Sequence, residues 1–225
     1  MHYDEKLRQF VPSLGGISAA EVYFSRDGEW VNYLTYHDHS LWRMRRDGSE
    51  KLRLISSGLV AAEAQWSPDA RKIAFGGAFL GSSKGIAVYA IPTDGGTPEK
   101  IADNAWLPSW SPDGNSLVFQ QLNAKSMEDI RIIDLRTGNI STIPDSEGKR
   151  GPVWSPDGRF VIAATAYTGG DLLLFDFRTH SWSVLIKGSF VNWQWSLEGK
   201  YVYAVDSSPG RPRAVRVRIA DKRVD

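Results

Sequence analysis

One five-residue motif recurs along this chain, and its period constrains the fold more than any other feature. It reads Phe-Ser-Arg-Asp-Gly from Phe24 and Trp-Ser-Pro-Asp-Ala from Trp66. It returns as Trp-Ser-Pro-Asp-Gly from Trp110 and Trp154, and as Trp-Ser-Leu-Glu-Gly from Trp195. Successive copies start 41 to 44 residues apart. Periods of about 40–50 residues, filled with short alternating segments between turn signals, belong to propeller blades of four strands. The chain is therefore predicted to be all-β, a β-propeller of five four-stranded blades in one domain spanning residues 1–225.

The fourth repeat reads most clearly. Gly-Pro-Val-Trp-Ser from Gly151 is a short strand, and Ser155-Pro156-Asp157-Gly158 is a turn with proline second and glycine last. Arg159 to Tyr167 is a second strand, closed by Thr168-Gly169-Gly170. Asp171 to Phe177 is a third, followed by a turn at Arg178-Thr179-His180, and Ser181 to Ile186 is the fourth. β-branched and aromatic residues crowd these segments, as a packed pleated surface requires. Applied along the chain, the pattern places blade 1 at about 19–57, blade 2 at 61–102, blade 3 at 105–145 and blade 4 at 150–187. Blade 5 takes 191–220. Lys6 to Val11 resembles the outer strand of blade 1 at Lys51 to Ser56, so residues 6–13 are expected to complete blade 5 and close the ring. Closure would cover backbone groups left at open edges.

The recurrent Trp sits on the innermost strand just before the turn. A large flat ring fills the wedge between blades, and its N–H needs a partner there. Trp66, Trp110, Trp154 and Trp195 are therefore core residues. Four of the five turns end in glycine, namely Gly28, Gly114, Gly158 and Gly199. That position requires positive φ, and Ala70 occupies it in the second repeat.

The Trp-Ser-Pro-Asp-Gly turn, followed by a strand such as Arg71-Lys72-Ile73-Ala74-Phe75 and an Asp94-Gly95 or Thr137-Gly138 turn, resembles the TolB-type propeller repeat. The resemblance covers essentially the whole chain. The first repeat departs from it at Phe24 and Arg26, and the fifth at Leu197 and Glu198. Similar repeats accompany winged-helix or Ser/Thr kinase domains in bacterial proteins, and occur in TolB and prolyl-oligopeptidase-type enzymes. The resemblance implies a propeller that binds, gates or scaffolds while any chemistry lies elsewhere.

The residues themselves offer no catalytic set. There is no Gly-x-Ser-x-Gly elbow. Gly95-Gly96 and Gly169-Gly170 lie in hairpin turns and cannot cradle a phosphate at a helix start. Cysteine is absent, which removes thiol nucleophiles and Cys-based metal sites. Asp27, Asp69, Asp113 and Asp157 read as carboxylates capping their own turns. His37 and His39, flanking Asp38, are the candidate metal ligands. Consecutive turn residues diverge, however, so a solvated polar turn is the better reading, and no metal or cofactor is expected. A net charge of +1 gives no basic footprint for nucleic acid. No stretch approaches the roughly 20 apolar residues of a membrane span. The N-terminus lacks a signal-peptide core. The chain reads as soluble and monomeric, bacterial cytoplasmic or periplasmic.

Ligand surfaces follow from propeller geometry. Loops between strands two and three, and between successive blades, share one face. They are long here, at Gly76 to Lys84, Asn123 to Glu128, Ser146 to Gly151 and Asp206 to Arg213. Varied loops on a rigid scaffold are where binding sits. Glu21, Glu63, Trp106, Arg150 and Asn192 stand where the inner strands begin, with Trp193 beside them. They are the candidate ligand-binding residues, a mixed aromatic and charged funnel suited to a protein, peptide or small polar ligand. The expected function is a non-catalytic sensory or interaction scaffold of a bacterial signalling protein. The alternatives are an accessory propeller of a peptidase or hydrolase and a truncated or engineered fragment without a ligand.

Overall fold

The structure is a computed structural model. It describes residues 17–55, 58–81, 85–123, 127–166, 170–208, 210 and 212–224, and the backbone course of 2–4 and 9–11. Every regular element among them is a strand. In the first repeat β3 (Ala19–Phe24), β4 (Trp30–Thr35), β5 (Leu41–Arg45) and β6 (Leu52–Arg53) form one antiparallel sheet in chain order. The second repeat does the same with β7 (Leu59–Trp66), β8 (Lys72–Phe79), β9 (Ile86–Pro92) and β10 (Glu99–Asp103). The third uses β11 (Ala105–Trp110), β12 (Ser116–Leu122), β13 (Glu128–Asp134) and β14 (Ile140–Thr142). In the fourth, β15 (Arg150–Trp154), β16 (Phe160–Ala164) and β17 (Gly170–Asp176) lead into β18 (Ser181–Trp195). This 15-residue strand continues through repeat five, where β19 (Tyr201–Asp206) and β20 (Arg213–Arg218) follow in the same six-stranded sheet.

Packing follows the alternation of each strand. Leu117 and Phe119 point one way and meet Ala74, Val88 and Trp110 between the second and third sheets. Val118 points the other way, towards Val161, Ala163 and Phe175 of the fourth. Leu34 and Leu41 similarly meet Trp66, Ile73 and Phe75, while Phe160, Ile162 and Leu174 meet Trp195, Val202 and Val217. Four interfaces between successive repeats thus form the core of a propeller.

The recurrent indoles tie these interfaces together. Trp66 Nε1 donates to the Tyr23 carbonyl at 3.2 Å, Trp110 Nε1 to Gln65 at 3.1 Å, and Trp195 Nε1 to Val153 at 3.1 Å. In each case the acceptor is the residue before the equivalent aromatic of the preceding repeat. Trp154 departs from this pattern. Its Nε1 donates to Gly158 O of its own turn, its ring stacks on Phe177, and its backbone N–H reaches Ser109 Oγ at 3.0 Å instead.

The turns bear the expected capping. Ser25, Ser67, Ser111 and Ser155 donate from Oγ to Asp27, Asp69, Asp113 and Asp157 at 2.5–2.6 Å, and each Asp accepts the N–H two residues on. The serine hydroxyl is the main reason that Asp27, Asp69 and Asp113 ionise below the usual carboxylate range. The fourth turn residue is left-handed throughout, and Ala70 shares this backbone at φ 56°. An L side chain is strained there by about 1–2 kcal/mol. Ala70→Gly is therefore expected to raise stability by about 0.5–1 kcal/mol, after the extra unfolded-state freedom of glycine is subtracted. A urea titration checks it, and a lower midpoint would contradict it.

Two expectations need correction. The first four repeats each have four strands, the fourth sharing β18 with the fifth, whereas the fifth has three, so four complete blades stand where five were expected. Nor does the N-terminal segment extend β20. β2 (Gln9–Val11) pairs antiparallel with β1 (His2–Asp4) in a separate two-stranded sheet, and Lys6 to Arg8 lie outside the described residues. The chain's other end explains this. It turns at Asp221 and runs back along β20, with Val224 bridging Val217 and Arg218 N–H donating to Arg223 O at 2.8 Å. Residues 221–224, beyond the 191–220 expected for blade 5, already engage that edge. A hairpin between neighbouring segments also costs far less closure entropy than pairing across some 200 residues.

Candidate functional site

Each inner strand is interrupted near its start. The pairing of inner and second strands slips between Ala19 and Glu21, Ala62 and Gln65, Trp106 and Ser109, Arg150 and Val153, and Val191 and Gln194. In four repeats the residue three before the Trp is left-handed: Glu63 at φ 53°, Leu107 at 54°, Gly151 at 63° and Asn192 at 53°. Such bulges bend the strand and re-aim the side chain. Here they form a collar around the channel mouth on the long-loop face.

The collar encloses a cavity of about 440 Å³. Glu63, Trp106, Asn192 and Trp193 line it, with Leu107, Pro108, Gly151, Pro152 and Val191 as the remaining walls. Four of the six residues singled out from the sequence are thereby brought together. The other two stand behind the wall. Glu21 accepts the bulge N–H of Glu63 on Oε2 at 2.8 Å. Arg150 forms an ion pair with Glu128 of the third repeat. Gln120 joins that pair, donating from Nε2 to Glu128 at 2.6 Å and accepting the Gly151 N–H at 3.2 Å. The bulges at Glu63 and Gly151 thus each have their amide satisfied by a side chain of the preceding repeat, as buried backbone groups require.

Tyr23 was not singled out from the sequence. Its hydroxyl lies 3.1 Å from Glu63 Oε2 and 3.4 Å from Glu21 Oε2, so one phenol bridges two carboxylates. Burial, then Glu63 and Glu21, push the phenol well above its usual range. Burial first, and repulsion from Glu21 second, also raise Glu63, with the Tyr23 hydrogen bond opposing them. Among the described residues no lysine or arginine pairs with Glu21 or Glu63. Trp193 is held firmly. Its Nε1 donates to Gly151 O at 2.9 Å, and its ring occupies the space that a Cβ on Gly151 would need.

The opposite mouth holds a larger cavity of about 590 Å³, lined by inner strands and turns of all five repeats. Its Ser25, Asp27, Ser67 and Ser155 are committed to the turns, Ser109 to the Trp154 N–H, and three of its four indole N–H groups to carbonyls of the preceding repeat. The smaller cavity is the better candidate because Glu63, which lines it, has no lysine or arginine partner among the described residues. The candidate metal turn shows no convergence. His37 is exposed, edge-on to Tyr36. Asp38 is held down to about 2 by the hydroxyls of Ser40 and Thr35, and also accepts Arg53. Among the described residues no three His, Cys, Asp or Glu side chains gather into a metal site. The long-loop assignment also shifts at one place, since β8 carries Gly76 to Phe79 as regular strand.

No helix is long and apolar enough to cross a membrane among the described residues. A search of curated protein sequences gives no match. Among solved structures, a TolB-type protein from Agrobacterium tumefaciens superposes with a TM-score of 0.75 at 20% identity, over 91% of this chain and 78% of that one. TolB from Acinetobacter baumannii gives 0.70 at 24% identity, over 91% of this chain and 51% of that one. A prolyl endopeptidase gives 0.64 at 16% identity, over 92% of this chain and 35% of that one. At these identities the likeness is one of fold. The sequence model of the TolB β-propeller domain matches residues 4–196, which is most of the chain. The chain belongs to the TolB β-propeller domain family.

Proposed function

We propose that this domain is a non-catalytic binding scaffold whose ligand, a peptide or small polar molecule, enters the cavity at the long-loop mouth. One observation carries the reading: Glu63, Trp106, Asn192 and Trp193, from three repeats, converge on one concave, largely apolar space of about 440 Å³. Pockets of this size with few polar groups are the usual form of small-ligand sites. No nucleophile, base and orienting group stand together there, so turnover is not expected. A panel of capped short peptides, followed through the indole N–H resonances, tests the reading. Ligands should move Trp106 and Trp193, and Trp106→Ala should remove the response. Movement confined to Trp66, Trp110 and Trp195 would place binding at the other mouth. Hydrolysis of panel peptides that tracks with the protein would favour an accessory role in a peptidase.

We also propose that the five repeats close around one channel, as a ring of four complete blades and a three-stranded fifth. All five inner strands lining the lower cavity support this. The weak point is the seam between repeats five and one, where Phe24 replaces the indole and is 49% exposed. Phe24→Trp would offer the missing N–H to the carbonyl of Gln194. In a closed ring it is expected to add about 0.5–1.5 kcal/mol. An unchanged denaturation midpoint would mean that the seam stays open.

A further inference from the structure

The loop-mouth cavity combines a carboxylate that has no cation among the described residues with two indole walls, and this combination names a class of ligand. Resting on the binding reading above, we propose that the cavity takes the ammonium or guanidinium group of a lysine- or arginine-bearing peptide.

The argument begins with Glu63. It lines the cavity, and its bulged backbone re-aims its side chain into the channel mouth. Behind it, Glu21 adds a second carboxylate within reach of the same Tyr23 hydroxyl. One phenolic hydroxyl serves both acids, and a hydrogen bond from a neutral phenol brings no positive charge to them. The described structure supplies no internal cation for them, although Arg150 stands nearby in the wall. Arg150 is spent on Glu128, and Gln120 secures that pair. Glu63 therefore lines the cavity with no cationic partner among the described residues.

The walls suit the same guest. Trp106 and Trp193 face a shared space, and indole is the best aromatic partner for an organic cation, all the more when water is displaced. Pro108, Pro152, Val191 and Leu107 provide apolar surface for the methylenes of a lysine or arginine stem. A small hydrated metal ion would use none of these walls, and an anion would meet Glu63 head-on. A neutral apolar side chain would fill the space but bury the carboxylate without a partner, which is costly.

The test uses calorimetry on the intact chain with capped pentapeptides, Gly-Gly-X-Gly-Gly, where X is lysine, arginine, norleucine or glutamate. Lysine and arginine peptides are expected to bind at least about tenfold tighter than norleucine. Their affinity should fall when KCl is raised from about 0.05 to about 0.3 M. Glu63→Gln should erase the preference while leaving the melting temperature unchanged or higher, because it neutralises a group that burial and Glu21 already disfavour as an anion. Trp106→Leu should weaken lysine and arginine peptides more than norleucine. Equal binding of norleucine by the native chain, or a preference that survives Glu63→Gln, would overturn the cationic assignment and leave the binding role standing. If no peptide of this set or of the wider panel perturbs Trp106 or Trp193, both fall.

Discussion

Trp110→Ala is expected to cost about 3–5 kcal/mol, the range for deleting a large buried aromatic side chain. The residue is 8% exposed and packs between the second and third sheets with Ala74, Val88, Leu117 and Phe119. Its loss opens a cavity at an interface made of rigid strand faces, which cannot collapse to fill it. It also orphans the Gln65 carbonyl, which otherwise accepts the indole N–H at 3.1 Å. Trp110→Phe separates the two contributions. It keeps most of the ring and removes the donor, so it should cost less, about 1–3 kcal/mol. Trp154 is the informative contrast. Its N–H serves its own turn, and Ser109 makes the link across the interface. Trp154→Phe should therefore disturb the third and fourth sheets less than Trp110→Phe disturbs the second and third. Urea denaturation of the three variants checks the order, and equal losses would show that the interblade hydrogen bond is unimportant.

Gly151→Ala is expected to cost about 2–4 kcal/mol and to disable the cavity. The backbone there has φ 63°, and a Cβ would stand 2.5 Å from Trp193 Cζ2. Neither the ring nor the bulge can give easily, because Trp193 Nε1 is bonded to Gly151 O and the Gly151 N–H to Gln120. Gly114→Ala provides the control. It has a similar φ of 73°, but the nearest atom to its added Cβ is Pro68 Cδ at 3.7 Å. It should show the backbone strain alone, about 1–2 kcal/mol, and leave the cavity intact. Identical losses in the two variants would mean that Trp193 moves aside freely.

These two residues also mark where the sequence was readable and where it was not. The strands, the turns and the burial of the recurrent Trp follow from local chemistry: a proline and glycine at fixed turn positions, an alternating pattern, a ring too large for solvent. The strain at Ala70 could be foreseen because four other repeats show glycine in its place. The collar of bulges could not. Its positions hold Glu63, Leu107, Gly151 and Asn192, and only glycine and asparagine hint at positive φ. What the repeats share there is a geometric requirement of strands converging on a channel, which different side chains meet. Placement of charge was opaque for a related reason. Arg150 and Glu128 lie in different repeats, and only the stacking of one sheet on the next shows that they neutralise each other. The same stacking brings Glu63 no such partner among the described residues. The last edge was misread because the segment after residue 220 was left out of blade 5, whereas a bridge at Val224 engages it.

The unbroken course of β18 has a consequence for how the molecule comes apart. Strands of the first three repeats belong to separate sheets, joined by side-chain packing and isolated hydrogen bonds such as those of Trp66 and Trp110, with no shared ladder. Ser181–Trp195 instead carries one hydrogen-bonded ladder from the fourth repeat into the fifth. Opening the fifth repeat must therefore pull on the ladder of the fourth. The last two repeats should behave as one cooperative unit, with amides of β17 and β19 exchanging with deuterium at a common free energy, whereas the first repeat can open by itself. A propeller with this asymmetry melts from its N-terminal side, and the half of the binding collar set by Gly151, Asn192 and Trp193 outlasts the half set by Glu21 and Glu63.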